Sequence, residues 1–113
     1  MKKPQISRYN AKKAKRSIHG ESYYFNVVPK GYSDSIIFDW CNMLPDIEMN
    51  PETNEANKTF VVIAGDAVIS VDGMELRACQ GDTVWFPKGS VFTVKTGSGG
   101  FQFVCVKRPA GAE

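Results

Sequence analysis

The stretch that most limits what this chain can fold into is residues 81–92, GDTVWFPKGSVF. Thr83, Val84, Trp85 and Phe86 are β-branched or aromatic, the side chains that fit a pleated surface, and Pro87 and Gly89 interrupt the run after four residues. Such a segment is a short strand, a tight turn and the start of a second strand. It leaves no room for a helix.

The same pattern recurs along the chain. Residues 22–28 (SYYFNVV), 34–41 (DSIIFDWC), 59–64 (TFVVIA), 67–71 (AVISV) and 101–106 (FQFVCV) are short and rich in β-branched or aromatic residues, and Asp72-Gly73 links 67–71 to a further short segment, 74–78. They are separated by Pro29-Lys30-Gly31, Gly65-Asp66, Asp72-Gly73, Gln80-Gly81, Pro87-Lys88-Gly89 and Gly97-Ser98-Gly99-Gly100. Short strands with turn signals every eight to twelve residues or so describe an all-β sandwich or barrel. Asp72-Gly73 predicts a two-residue hairpin turn, because both positions need positive φ, which glycine supplies freely and aspartate tolerates. The glycines at 97–100 predict a hairpin connection, since the Lys-Ser/Thr and following helix of a phosphate loop are missing. Residues 42–57 are dominated by Pro, Asn, Asp and Glu, with Met43, Leu44, Ile47 and Met49 as apolar interruptions, and predict a long surface connection.

At 113 residues the chain is one domain, able to bury roughly two thirds of the surface it exposes unfolded. Its net charge of +2 conceals an asymmetry. Lys2, Lys3, Arg8, Lys12, Lys13, Lys15 and Arg16 put 7 basic groups and no acids in the first 16 residues, and the remaining 7 bases and 12 acids leave −5 elsewhere. Residues 1–20 therefore read as a basic arm, mobile or weakly helical over 10–17, followed by a domain over 21–108 and a tail over 109–113. A basic arm can contact phosphates, a partner or a dimer mate. Without interleaved aromatics or a recognisable binding motif, nucleic acid is not expected. No apolar run approaches the ~20 residues needed to cross a bilayer, and no apolar region follows the basic start as in a secretory signal. Cys41, Cys79 and Cys105 are odd in number and widely spaced, which argues against a disulfide framework. They read as small buried hydrophobes in a reducing, cytoplasmic setting.

Residues 81–92 resemble the second signature of the cupin superfamily, G-x5-P-x-G-x2-H-x3-N, at Gly81, Pro87 and Gly89. They depart from it at Phe92, where the family has histidine, and at Thr96, where it has asparagine. The resemblance implies a single jelly-roll barrel of antiparallel strands over residues 34–108, with a small cavity inside. Within the superfamily, the text GMELRACQGDTVWFPKGSVF and FQFVCVKRPA is similar to the ethanolamine-utilisation protein Q group. The first cupin signature, G-x5-H-x-H-x3,4-E-x6-G, ends at Gly65; counting back, its glutamate falls on Lys58 and its histidines near Glu52 and Asn54. The four ligand positions then hold Glu52, Asn54, Lys58 and Phe92. An ammonium and a phenyl ring offer a metal no lone pair, and the one histidine, His19, lies on the arm. No metal and no other cofactor is expected, and with them the family's metal-dependent chemistries are set aside.

Lys58 is the sharpest candidate. If it points into the barrel, it must meet a carboxylate (Glu52 or Glu55), bind an anionic ligand, or act uncharged as a base or amine nucleophile; otherwise it opens its strand and snorkels to solvent. Trp40, Phe60, Trp85, Phe92 and Phe103 are either core or a stacking platform for a sugar ring, and the run TVWF leaves the facing of Trp85 open. The candidate ligand-binding set is Lys58, Glu52, Asn54, Phe60, Trp85 and Phe92. The expected function is metal-independent binding of a small polar or anionic molecule, of the carbohydrate or carboxylate class, by a homodimer. Two alternatives stand beside it. One is a filled barrel serving as a dimerisation or interaction module that presents the basic arm. The other is a non-metal isomerase- or epimerase-like enzyme, or one related to ethanolamine utilisation; for the acetate-kinase-like phosphotransfer that the last resemblance suggests, no phosphate-binding loop or metal carboxylate pair is visible.

Overall fold

The computed structural model describes residues 36–107, together with the backbone of Lys15–Arg16 and Ser22–Asn26. All the regular structure among them is β. The strands are β1 (Lys15–Arg16), β2 (Ser22–Asn26), β3 (Ile37–Met43), β4 (Glu52–Thr53), β5 (Lys58–Val71), β6 (Met74–Cys79), β7 (Thr83–Phe86) and β8 (Val91–Lys107). They pair antiparallel in the order β1-β2-β3-β8-β5-β6, with β4 also on β8 and β7 also on β5. The expected all-β class is the observed one.

Two strands are long enough to serve both layers of a jelly roll. The first half of β5 pairs with β7, Lys58 opposite Phe86 and Phe60 opposite Val84, whereas its second half pairs with β6. The last seven residues of β8 pair with β3, and its first two with β4. β5 and β8 pair with each other throughout, from Lys58 opposite Lys107 to Val71 opposite Phe92, with irregularities between Val62 and Ala64 and between Gly65 and Ala67. One layer is thus β1-β2-β3-β8-β5-β7 and the other is β4-β8-β5-β6, joined where β5 and β8 bend together.

The bend needs glycine. A Cβ on Gly65, which has φ +80°, would collide with the carbonyl of Gly100, and a Cβ on Gly100, at φ +77°, would lie 2.9 Å from the carbonyl oxygen of Met43. Three backbones approach one another at this corner because two side chains are missing.

Burial alternates along the strands as a half-buried sheet requires. In β5, Phe60 and Val62 point inward before the bend and Ala67 and Ile69 after it, while Val61 and Ile63 point out. Phe60 stands at the centre of the interior. Its ring stacks on Phe103 at 4.1 Å between centroids and meets Phe86 edge-on at 4.7 Å and Phe92 at 5.9 Å. Phe92 comes from the second layer and also lies 4.8 Å from Phe86, so these phenyl rings hold the layers together. Each such buried ring contributes on the order of 1.5–3 kcal/mol through the area it removes from water.

Several sequence expectations change here. Residues 59–64 and 67–71 are one bent strand, because Gly65-Asp66 marks the corner and not a chain reversal. Residues 97–100 are likewise inside β8 and form no hairpin. Residues 42–57 are more than a surface connection. Met43, Met49, Asn54 and Ala56 are buried, and the segment runs beside β8 through Asp46 N to Gly97 O at 3.1 Å, Thr96 N to Ile47 O at 2.8 Å and Met49 N to Val94 O at 3.0 Å. Lys15–Arg16, expected to be mobile or weakly helical, are extended against Tyr23 and Tyr24, since β2 offers an open edge. Asp72-Gly73 is the expected hairpin, with φ values of 48° and 84°. The rest of the arm, the turn at 29–31 and the tail lie outside the described residues.

Gly65→Ala should lower the urea unfolding midpoint by an amount equivalent to about 2 kcal/mol or more, combining positive-φ strain with the clash against Gly100. Gly99→Ala, where a Cβ would meet nothing within 4 Å, should cost less than about 1 kcal/mol. Equal shifts would show that the corner does not depend on the missing Cβ.

Candidate functional site

The starts of β3 and β5 and the ends of β7 and β8 lie at one end of the barrel, and β4 crosses beside them. Directly opposed residues in antiparallel strands share a face. One row across the inner face is therefore Ile37, Lys107, Lys58 and Phe86, and the next is Asp39, Cys105, Phe60 and Val84. Glu52, opposite Phe92, reaches in from the second layer.

Lys58 is 7% exposed, so it does not snorkel. It opens β5, with β8 on one side and β7 on the other. Its Nζ lies 3.6 Å from Glu52 Oε1 and 4.8 Å from the centre of the Phe92 ring. A charge-assisted N–H···O bond is about 2.7–2.9 Å, so the carboxylate compensates the ammonium without closing a tight hydrogen bond on it. The ring supplies a second, cation–π stabilisation. Of the two carboxylates expected as partners, Glu52 is the one used, and Glu55 is exposed.

Asn54 is buried at 1% exposure beside Glu52. Its backbone N–H donates to Ser90 O at 2.9 Å and its Nδ2 donates to Ser90 Oγ at 2.9 Å, while Ser90 Oγ–H donates to Pro87 O at 2.6 Å. Asn57 Oδ1 accepts from Lys88 N at 2.9 Å. The Pro87–Ser90 turn is thus clamped from the segment between β4 and β5. The Asn54 Oδ1 atom is buried and has no partner.

Phe60 and Phe92 form the floor beneath the polar groups. Trp85 does not join them. It is 61% exposed, because Val84 and Phe86 take the inner face of β7 and alternation turns Trp85 out. The structure therefore gathers Lys58, Glu52, Asn54, Phe60 and Phe92 and leaves Trp85 on the other side of the sheet.

Sequence reasoning missed Asp39, Cys105 and Lys107. The alternation Ile37, Asp39, Cys41, Met43 was the available signal, since Met43 is core and Asp39, four residues earlier, must share its face. Burial pushes the Cys105 thiol up to about 11, against the lowering influence of Lys58 and Lys107 and with the carboxylates of Asp39 and Glu52 adding to the rise. Burial likewise raises Cys41 well above the usual thiol range, reinforced by Cys105 and Asp39. Cys79, expected to be buried, is exposed, because it ends β6 at a turn where Asp82 Oδ2 accepts its N–H at 2.9 Å. That carboxylate, through a side-chain hydrogen bond, also raises its thiol.

The four cupin ligand positions do not fit a metal ion. Two hold an ammonium and a phenyl ring, the Glu52 carboxylate is paired with that ammonium, and the Asn54 amide nitrogen is turned to Ser90. Among the described residues no three His, Cys, Asp or Glu side chains converge as a metal site.

No family model matches the sequence, and no curated protein matches it. Solved structures do. The chain is similar to a Cupin 2 conserved barrel domain protein from Salinispora arenicola, with a TM-score of 0.84 at 18% identity over 98% of this chain and 93% of that one. It is similar to the plu4264 protein from Photorhabdus luminescens, with a TM-score of 0.83 at 16% identity over 97% and 92%. The EutQ protein of Clostridium difficile matches with a TM-score of 0.70 at 22% identity over 81% of this chain and 65% of that one. The chain has the cupin fold, as the signature residues implied. No described helix is long and apolar enough to cross a membrane.

The thiols offer a direct check of this placement. Iodoacetamide at pH 8 should alkylate Cys79 in the native protein and reach Cys41 and Cys105 only after unfolding, because the thiolate is the reactive form and burial disfavours it. Native-state modification of Cys105 as fast as Cys79, read by peptide mass spectrometry, would show that this end of the barrel opens to water.

Proposed function

We propose that this cupin barrel binds a small polar anion, of the carboxylate or carbohydrate-acid class, at the Lys58 end and without a metal. The observation that carries the reading is the buried Lys58 ammonium, held by a carboxylate at 3.6 Å and a phenyl ring, with hydrogen-bonding capacity left over. A lysine ammonium has three N–H donors, and burying them with loose compensation is costly. Glu52, with its side chain 26% exposed, is the partner nearer solvent, so an incoming anion can take its place while Lys58 stays fixed. Lys107, across the sheet from Lys58, adds a second positive charge to the same row. The free thiols fit a cytoplasmic setting.

The first test is acetate titrated into the protein and followed by calorimetry or NMR shifts. Lys58→Met keeps the apolar stem and removes the charge, and it should abolish acetate binding with the thermal unfolding transition retained. Undiminished affinity in that variant would remove Lys58 from the site.

A second reading, an interaction module that works as a homodimer, is favoured by the outer face of the β3-β8-β5-β7 layer. Its rows are Phe38, Val106, Thr59, Trp85 and Trp40, Val104, Val61, Thr83, with no charged residue in either. Trp85 is 61% and Val61 37% exposed, and a second copy of the same uncharged face is the complementary partner. Sedimentation should give a dimer for the unaltered chain and a monomer for Trp85→Lys. A monomer in both cases would remove the homodimer.

A further inference from the structure

The Asn54 side chain has one end occupied and one end empty. Its Nδ2 donates to Ser90 Oγ at 2.9 Å, and Ser90 Oγ cannot donate back because its own hydrogen is directed to Pro87 O at 2.6 Å. The amide orientation is thereby fixed, and Oδ1 is the end turned away from Ser90. That oxygen is buried and without a partner in a residue 1% exposed. An unsatisfied buried acceptor is costly to keep, and in folded chains such an atom is ordinarily met by protein, water or ligand. The other described orphan of this kind, Asn42 Oδ1, lies on β3 one residue out of phase with Asp39 and Met43, on the opposite face.

Asn54 belongs to the Lys58 end. It follows Glu52 by two residues, so alternation turns both side chains to the same face; Glu52 lies opposite Phe92 on β8, and Asn54 bonds to Ser90 in the turn just before that strand. Glu52 and Phe92 are the two groups that touch the Lys58 ammonium. A donor-rich cation and an orphaned acceptor therefore belong to one neighbourhood, linked through Glu52 and Phe92.

We infer that the ligand of this site is a hydroxy carboxylate, whose carboxylate meets Lys58 and whose hydroxyl donates to Asn54 Oδ1. This rests on the anion-binding reading and narrows it. A simple carboxylate satisfies Lys58 alone and leaves Oδ1 orphaned. An amino acid also carries a donor, but as a third ammonium beside Lys58 and Lys107, where like charges in a partly desolvated site repel. The hydroxyl is the donor without that cost. A site with a buried polar group waiting for a hydroxyl discriminates strongly against the analogue that lacks one.

The test compares acids that differ in hydroxylation, glycolate against acetate and gluconate against hexanoate, by calorimetry on the full chain at one pH and ionic strength. In at least one pair the hydroxylated acid should bind tenfold or more tightly. Asn54→Ala should bring that acid down to the level of its partner, and Lys58→Met should abolish both. Equal affinities within both pairs, or a preference that survives Asn54→Ala, would overturn the hydroxy-acid inference while leaving carboxylate binding at Lys58 in place. Failure of all four acids to bind would overturn the anion reading and this inference together. The comparison of acids on the unaltered chain holds even where Asn54→Ala loosens the Pro87–Ser90 turn.

Discussion

Everything at the Lys58 end depends on β5 and β8 staying paired while both turn a corner. Had the two strands separated at Gly65 and Gly100, each layer would have kept its own hydrogen bonds and the interior would have opened. Because the backbones approach closely enough there to bend as a unit, the start of β8 lies over the end of β8 in the other layer. Phe92 then lies over Phe60, and Glu52, carried on the neighbouring β4, is brought to the ammonium of Lys58. Phe60 and Phe92, 32 positions apart in sequence, meet because two side chains are absent at a place that touches neither of them.

The site this produces inverts the usual electrostatics of its fold. A metal-binding barrel presents lone pairs to a cation. Here the positions that would supply them hold an ammonium, a phenyl ring, a carboxylate already paired and an amide anchored to a turn. The cation is covalently part of the chain, and the lone pairs beside it are those of Glu52. Taking an ammonium out of water is unfavourable by several kcal/mol, and a single carboxylate at 3.6 Å together with a ring face offsets this only in part.

Much of the architecture was legible because period-two alternation and turn residues are local signals. The hairpin at Asp72-Gly73, the strand 83–86 and the turn at Pro87 needed nothing distant. The continuity of β5 and β8 was not legible, since a glycine that bends a strand and a glycine that reverses it look alike in sequence; what distinguishes them is whether another backbone lies against the missing Cβ. Residues 42–57 misled for a related reason. It is the threonines of β8 that hold their backbone: Thr96 Oγ1 donates to Leu44 O at 2.7 Å and accepts from Ile47 N at 3.0 Å, and Thr93 Oγ1 donates to Met49 O at 2.7 Å. At the site, counting back from Gly65 found Lys58, Glu52 and Asn54, because the spacing of a signature survives when its residues change. Trp85 could not be faced, since three apolar residues in a row hide the alternation that burial then reveals. Asp39 and Lys107 went unseen because neither lies in a motif; their place at the site follows only from register.

Glu52 also explains why the second polar contact matters more than the first. With no ligand present, Lys58 already has a carboxylate beside it, so an arriving anion exchanges one carboxylate for another and gains only the difference between them. A charge that is partly compensated beforehand cannot by itself distinguish one acid from the next. Asn54 Oδ1 is in the opposite situation, having no partner to give up, and the full difference between an unmet and a met acceptor is available to any ligand that reaches it. On the proposed reading, the ammonium selects for an anion and the uncharged amide selects among anions.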